Sequence, residues 1–133
     1  MKTAKNIASI DLTADIIDTR DIIERFEQLE TEMPDNDNEV RNWTDLEEYS
    51  DLQEILRDIK GLGGDEQWRG DWYPLTLIRE SYFTAYTKDL LEDCGTIPRD
   101  FPAWIAIDWE RTAAALQSDY TDVDIIGVTY FTR

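Results

Sequence analysis

Residues 44–61 read Thr-Asp-Leu-Glu-Glu-Tyr-Ser-Asp-Leu-Gln-Glu-Ile-Leu-Arg-Asp-Ile-Lys-Gly. Leu46, Tyr49, Leu52, Leu56 and Ile59 recur at three- and four-residue spacing, with Ile55 beside them. That period predicts an amphipathic helix. Thr44 followed by Glu47 has the form of a capping box at its start, and Gly61 stands where a C-terminal cap belongs. The same stretch carries Asp45, Glu48, Asp51 and Glu54 at three-residue steps, with Asp58 one turn further on. One segment thus holds both the fold signal and the charge signal.

The pattern repeats upstream. Ile22, Phe26, Leu29 and Met33, with Ile23 alongside, predict a helix over about Asp18–Met33, ended by Pro34 and the polar run Asp35-Asn36-Asp37-Asn38. It carries its own ladder: Asp18, Asp21, Glu24, Glu27 and Glu30. Downstream, residues 61–74 read as a glycine-rich loop whose Trp68, Trp72 and Tyr73 are expected to pack onto the core. A third helix is expected from near Pro74 to Gly95, burying Ile78, Tyr82, Phe83, Tyr86, Leu90 and Leu91. A short fourth helix follows Asp108, a suitable N-cap, with Trp109, Ala113, Leu116 and Tyr120 on one side. Val123 to Thr132 is β-branched and aromatic around Gly127, and reads as a hairpin or a bulged strand. The expected fold class is α+β, mostly helical, with about four helices and a small C-terminal antiparallel β-hairpin.

The 133 residues include 30 acids and 13 bases, with no histidine, for a net charge of −17. Aromatics make up 11%, too many for a chain held open by charge, so a folded core is expected. The charge is uneven: residues 11–66 hold nineteen acids and five bases, residues 67–133 eleven acids and six bases. This divides the chain into an acidic helical region, 1–66, and a region 67–133 of more ordinary composition.

Composition also excludes. Cys94 is the only cysteine, so no internal disulfide forms, which fits a reducing compartment and a cytoplasmic location. The apolar run from Ile7 to Ile10 is too short for a signal peptide. Direct binding to nucleic acid or to an anionic membrane is disfavoured by like charge. Without histidine the commonest general base and metal ligand is missing. Gly61, Gly63 and Gly64 lack the Lys-Ser/Thr of a phosphate loop. Asp35, Asp37 and Glu39 match the first positions of an EF-hand loop. Val40 and Leu46 occupy the positions of its glycine and bidentate glutamate, so a solvated acidic loop is the expectation. No catalytic residue, metal or cofactor is expected.

What remains is the acids themselves. Residues three apart on a helix lie about 5–6 Å apart at Cβ, comparable to the phosphate repeat of a DNA strand. Few bases interrupt the ladders: Arg20, Arg25 and Arg57, with Lys60 at the end. Stabilising Glu-to-Lys pairs are largely forgone. A solvated or salt-adapted surface competes with a binding surface as the explanation. Asp89, Glu92, Asp93, Asp119, Asp122 and Asp124 are candidate extensions of the ladders.

The second half adds an ordered series of short blocks. Gly70-Asp71-Trp72-Tyr73-Pro74 precedes Leu77-Ile78-Arg79-Glu80-Ser81-Tyr82-Phe83, Tyr86 and Glu92-Asp93-Cys94-Gly95. Ile107-Asp108-Trp109-Glu110, Ala113-Ala114, Leu116, Asp119-Tyr120-Thr121 and Gly127-Val128-Thr129-Tyr130-Phe131-Thr132-Arg133 follow. Together they resemble the C-terminal region of ArdA-type antirestriction proteins over about residues 70–133. The resemblance implies an acidic, elongated and often dimeric DNA mimic that occupies the DNA-binding groove of type I restriction–modification enzymes. The acids read independently here would serve that role. Two alternatives stay open: an inhibitor of another defence nuclease such as a CRISPR effector, and an acidic adaptor that grips a basic protein through an aromatic anchor such as Trp68 or Trp72.

Overall fold

Two adjacent pairs of large side chains, Leu77-Ile78 and Tyr130-Phe131, set the architecture. Successive residues of a strand point to opposite faces. Leu77 and Tyr130 join one hydrophobic cluster, while Ile78 and Phe131 join another. The sheet that carries them is therefore covered on both faces. The structure, a computed structural model, describes residues 10–133; Lys2, Lys5 and the start of the apolar run at Ile7 lie outside them.

The fold is α+β. A four-stranded antiparallel sheet has the order β1 (Ile16–Asp18), β4 (Thr76–Arg79), β6 (Val128–Thr132), β5 (Thr121–Ile125). Ile16 pairs with Ile78, Ile78 with Phe131, and Val123 with Tyr130. On one face lie α1 (Thr19–Glu32) and α3 (Leu46–Ile59), through Ile22, Phe26, Leu29, Leu52, Ile55, Leu56 and Ile59. On the other lie α4 (Phe83–Asp93) and α5 (Trp109–Gln117), through Phe83 and Ala113, with Tyr86, Leu116 and Tyr120 alongside. A short α2 (Asp37–Arg41) links α1 to α3, and β2 (Asp65–Trp68) pairs with β3 (Asp71–Tyr73) as a separate hairpin. Residues of the acidic region and of the region beyond 67 share the larger cluster. Each fully buried Leu or Ile in it contributes roughly 1.5–3 kcal/mol.

The hairpin expected at the C-terminus is present, and β4 and β1 extend it into the sheet. Its turn is two residues, Ile126 at φ 51° and Gly127 at φ 80°, the backbone of a type I′ turn. The Asp124 carboxylate accepts from the Gly127 N–H at 2.7 Å. The Tyr130 hydroxyl donates to the carbonyls of Leu12 and Ala14, at 3.1 and 2.6 Å, and holds the approach to β1.

Four expectations need correcting. The third helix begins at Phe83, not near Pro74, because Thr76–Arg79 is a strand paired on both edges. Ile78, Tyr82, Tyr86 and Leu90 happen to fall at four-residue spacing, which imitates a helix across the strand and the 3-10 turn Glu80–Tyr82 that follows it. Residues 61–74 are not a plain loop: β2 and β3 turn at Arg69 and Gly70, both with positive φ. Residues 37–41 are helical, not a loop, because the Asn36 side chain caps them by accepting from the Glu39 N–H at 2.8 Å. Thr44 does not cap α3; Asp45 holds that position and makes no side-chain cap bond.

Candidate partner-binding surface

A ladder stepping by three residues does not stay on one face. Each residue of an α-helix advances about 100°, so each three-residue step falls back about 60°. The five α1 acids sweep roughly 240°, and the first four of α3 roughly 180°. Members of each ladder must therefore meet neighbouring elements, and they do.

Asp18 is the N-cap of α1. Its carboxylate accepts from the Arg20 N–H at 2.9 Å and pairs with the Arg20 guanidinium at 2.7 Å. These bonds to Arg20 hold its pKa below the ordinary aspartate value. Glu27 accepts from the Trp68 indole N–H at 2.8 Å, and Glu30 pairs with Arg69, whose guanidinium lies over the Trp68 ring. Both acids fix the β2–β3 hairpin to α1. Glu48 accepts two bonds from Arg25, each 2.8 Å, and joins α3 to α1. Arg25 is only 8% exposed and gives its remaining contact to Gln28 at 2.9 Å. The Glu48 carboxylate pushes its pKa up. Four of the ten ladder acids are thus bound to the chain's own framework.

Of the other six, Asp21, Glu24, Glu54 and Asp58 are exposed, while Asp45 and Asp51 are half-buried. Asp21 and Glu24 are exposed beside a cleft of about 340 Å³ that also touches Ile16, Ile17 and Arg25. Asp45 is half-buried at the start of α3. Asp51, Glu54 and Asp58 fall within about 60° on α3 and meet Asp124 from the C-terminal hairpin. These four line one open cleft of about 330 Å³, floored by Ile55 and edged by Ile126. None of the four forms an ion pair among the described residues. The sequence separates Asp58 from Asp124 by most of the second region, and only the packing of α3 beside edge strand β5 brings them together.

The remaining extensions do not join that cleft. Asp89, Glu92 and Asp93 are exposed on α4, across the sheet from α3. Asp119 precedes β5 in the turn after α5, and Asp122 sits on β5 opposite Phe131; both are exposed. Charged side chains on β5 also keep that edge from pairing with another strand.

The aromatics divide as well. Trp68 is half-buried, edge-on to Phe26 at 5.6 Å, with its indole already bonded. It is packed, not free to anchor a partner. Trp72 is 53% exposed and Trp104 85% exposed, so neither belongs to the core expected of the aromatics. Sequence reasoning passed over Trp104; its signal was an apolar run, residues 101–107, interrupted by no charge.

Among the described residues no group of three or more His, Cys, Asp or Glu is placed to hold a metal ion, and no helix is long and apolar enough to cross a membrane. No protein-family model, curated protein or solved structure matches the chain.

Proposed function

We propose that the chain is a DNA mimic that acts in the cytoplasm, occupying the DNA-binding groove of a type I restriction–modification enzyme and so protecting incoming DNA. It is not an enzyme, needs no cofactor, and binds neither nucleic acid nor membrane itself. The observation that carries the reading is the carboxylate wall of Asp51, Glu54, Asp58 and Asp124, which forms no ion pair among the described residues, on a chain of net charge −17. Neighbouring carboxylates repel by about 0.7 kcal/mol per pair in water at roughly 6 Å. A fold gains nothing from that repulsion, whereas a cationic groove neutralises it on binding. The resemblance of residues 70–133 to ArdA-type proteins supports the same reading.

The mechanism is competition. A groove that exchanges its counterions for DNA phosphates exchanges them here for carboxylates held on a rigid scaffold. Asp21 and Glu24 add charge from α1, and the α4 and hairpin acids add the long-range field. Purified type I enzymes should lose both cleavage and methylation at stoichiometric inhibitor, and recover both in excess DNA or raised salt. Full activity in the presence of the chain would sink the proposal for that enzyme class, and a panel of other defence nucleases, CRISPR effectors included, would then be tested.

The exposure of Trp72 favours a second reading, an acidic adaptor for a basic protein. In that case Trp72→Ala abolishes binding, while neutralising Asp51, Glu54, Asp58 and Asp124 costs little.

A further inference from the structure

A four-stranded sheet has two outer edges, and here they differ. The edge at β5 presents Asp122 and Asp124, whereas the edge at β1 presents Ile16, 45% exposed. Among the described residues no strand lies beyond β1. The bonds on its inner side show which groups are left over. The Thr19 N–H donates to the Leu75 carbonyl at 3.2 Å and the Arg79 N–H to the Asp15 carbonyl at 2.8 Å, so Asp15, Ile17 and Thr19 turn their backbone groups toward β4. In an antiparallel ladder the residues between them turn theirs the other way. The N–H and C=O of Ile16 and the N–H of Asp18 therefore point out of the sheet, and no described residue bonds to them.

The cleft of about 340 Å³ beside α1 opens on this edge. Ile10, Ala14, Ile16 and Ile17 form its apolar lining, and Asp21 and Glu24 are among its acids. Its one base, Arg25, is already held by Glu48 and Gln28. Neither Asp21 nor Glu24 forms an ion pair among the described residues. Unpaired backbone at a sheet edge is a template for a further strand, and charge decides which strand can use it. One as acidic as this chain is repelled by Asp21 and Glu24, while one that carries lysine or arginine is attracted. The pleat sets the pattern. Ile17 points to the face covered by α1, and Ile16 to the opposite face. A strand laid beside β1 alternates in step. Its residue level with Ile17 points to the side of Asp21 and Glu24, and its residue level with Ile16 lies against that side chain.

We propose that the outer edge of β1 is a strand-addition site for an extended segment of a partner protein in which lysine or arginine alternates with apolar residues. The segment pairs antiparallel, as the strands of this sheet do. Backbone bonds to Ile16 and Asp18 fix its register, Ile16 receives its apolar side chains, and Asp21 and Glu24 receive its bases. The proposal does not depend on the DNA-mimic reading, which rests on the α3 cleft beside β5.

Fluorescence anisotropy on the full chain at physiological ionic strength tests it, with a labelled peptide of alternating lysine and valine about nine residues long. That peptide should bind, and a glutamate–valine peptide should not. N-methylation of the valines keeps every charge and removes the N–H groups that antiparallel pairing uses, so it should weaken binding about tenfold or more. Asp21→Asn with Glu24→Gln should also weaken it by about tenfold, while Asp89→Asn with Glu92→Gln, which takes the same charge from α4, should change it less than about twofold. Hydrogen exchange read by NMR should show the N–H groups of Ile16 and Asp18 protected by the bound peptide. No binding of the lysine–valine peptide, equal binding of its N-methylated form, equal losses in the two double variants, or exchange at Ile16 and Asp18 unmoved by the peptide would overturn the proposal.

Discussion

Glu48→Ala should be the most damaging single change in the acidic ladders, although nothing in the ladder spacing distinguishes Glu48 from Glu54. Arg25 and Glu48 have side chains 10% and 22% exposed, joined by two charge-assisted bonds. Removing one partner of a fully buried pair costs about 3–5 kcal/mol, because the other charge is left without compensation. Residual exposure of Glu48 lets some water reach Arg25, so the expected loss here is roughly 2–3 kcal/mol. Glu54→Gln, on the open wall, should change stability by less than about 0.5 kcal/mol. Urea denaturation followed by circular dichroism reads both, with an unchanged m value as the check that the unfolded state is not what moved. The double variant Arg25→Met with Glu48→Leu should recover most of the loss, since well-packed apolar residues replace buried pairs at little cost. A Glu48→Ala variant as stable as Glu54→Gln would refute the division of the ladder into framework and free carboxylates.

Other outcomes follow from the same geometry. Neutralising Asp51, Glu54, Asp58 and Asp124 to Asn or Gln should leave the chain at least as stable as the wild type in low salt and weaken groove binding, read by urea denaturation and by inhibition; the Asn at 124 can still accept from Gly127. Ile126→Asn should raise stability by about 1 kcal/mol, because a β-branched residue at positive φ is strained where Asn is tolerated; calorimetry measures it. Burial, then the hydroxyl of Tyr86 at 3.5 Å, pushes the Tyr120 pKa up to about 12. The folded state therefore holds this proton more tightly than the unfolded state. Its contribution to stability is complete below about pH 10 and is lost as pH rises toward about 12. Tyrosinate absorbance should show a late-titrating fraction that Tyr120→Phe diminishes, Tyr49, Tyr73 and Tyr130 also being pushed up by burial. Asp18 behaves in the opposite sense: its lowered pKa gives stability that is present above about pH 4 and lost as pH falls, and Asp18→Asn should flatten that acid limb.

The two long helices of the acidic region were legible because each buries one face, which leaves a clean helical period: α1 and α3 fall within a residue or two of where Ile22–Leu29 and Leu46–Ile59 place them, whereas the short α2 buries no residue and left no such signal. The C-terminal hairpin was legible from its β-branched residues around Gly127. β4 was not, because a strand buried on both faces loses the apolar–polar alternation that marks a half-buried one, and Leu77-Ile78 reads equally as helix. The β2–β3 hairpin hid behind its glycines and acids. For the surface, acid spacing located the candidates but could not sort them. Whether Glu48 or Glu54 is free depends on Arg25 of another helix, and Asp124 joins Asp58 only through tertiary packing. The capping signals show the same limit: Asp108 caps α5 as its position suggests, with its carboxylate accepting from the Arg111 N–H at 3.1 Å, while Thr44 leaves α3 uncapped.

The central claim is that carboxylates on this chain stand where phosphates stand in a bound duplex. The most direct measurement is displacement of fluorescent DNA from a purified type I restriction–modification enzyme, titrated with the wild type and with the variant neutralised at Asp51, Glu54, Asp58 and Asp124. Competitive displacement by the wild type, weaker displacement by the variant, and a shallower salt dependence for the variant are the expected results. Inhibitor and DNA bound together on the enzyme, or displacement indifferent to the four acids, would contradict the claim.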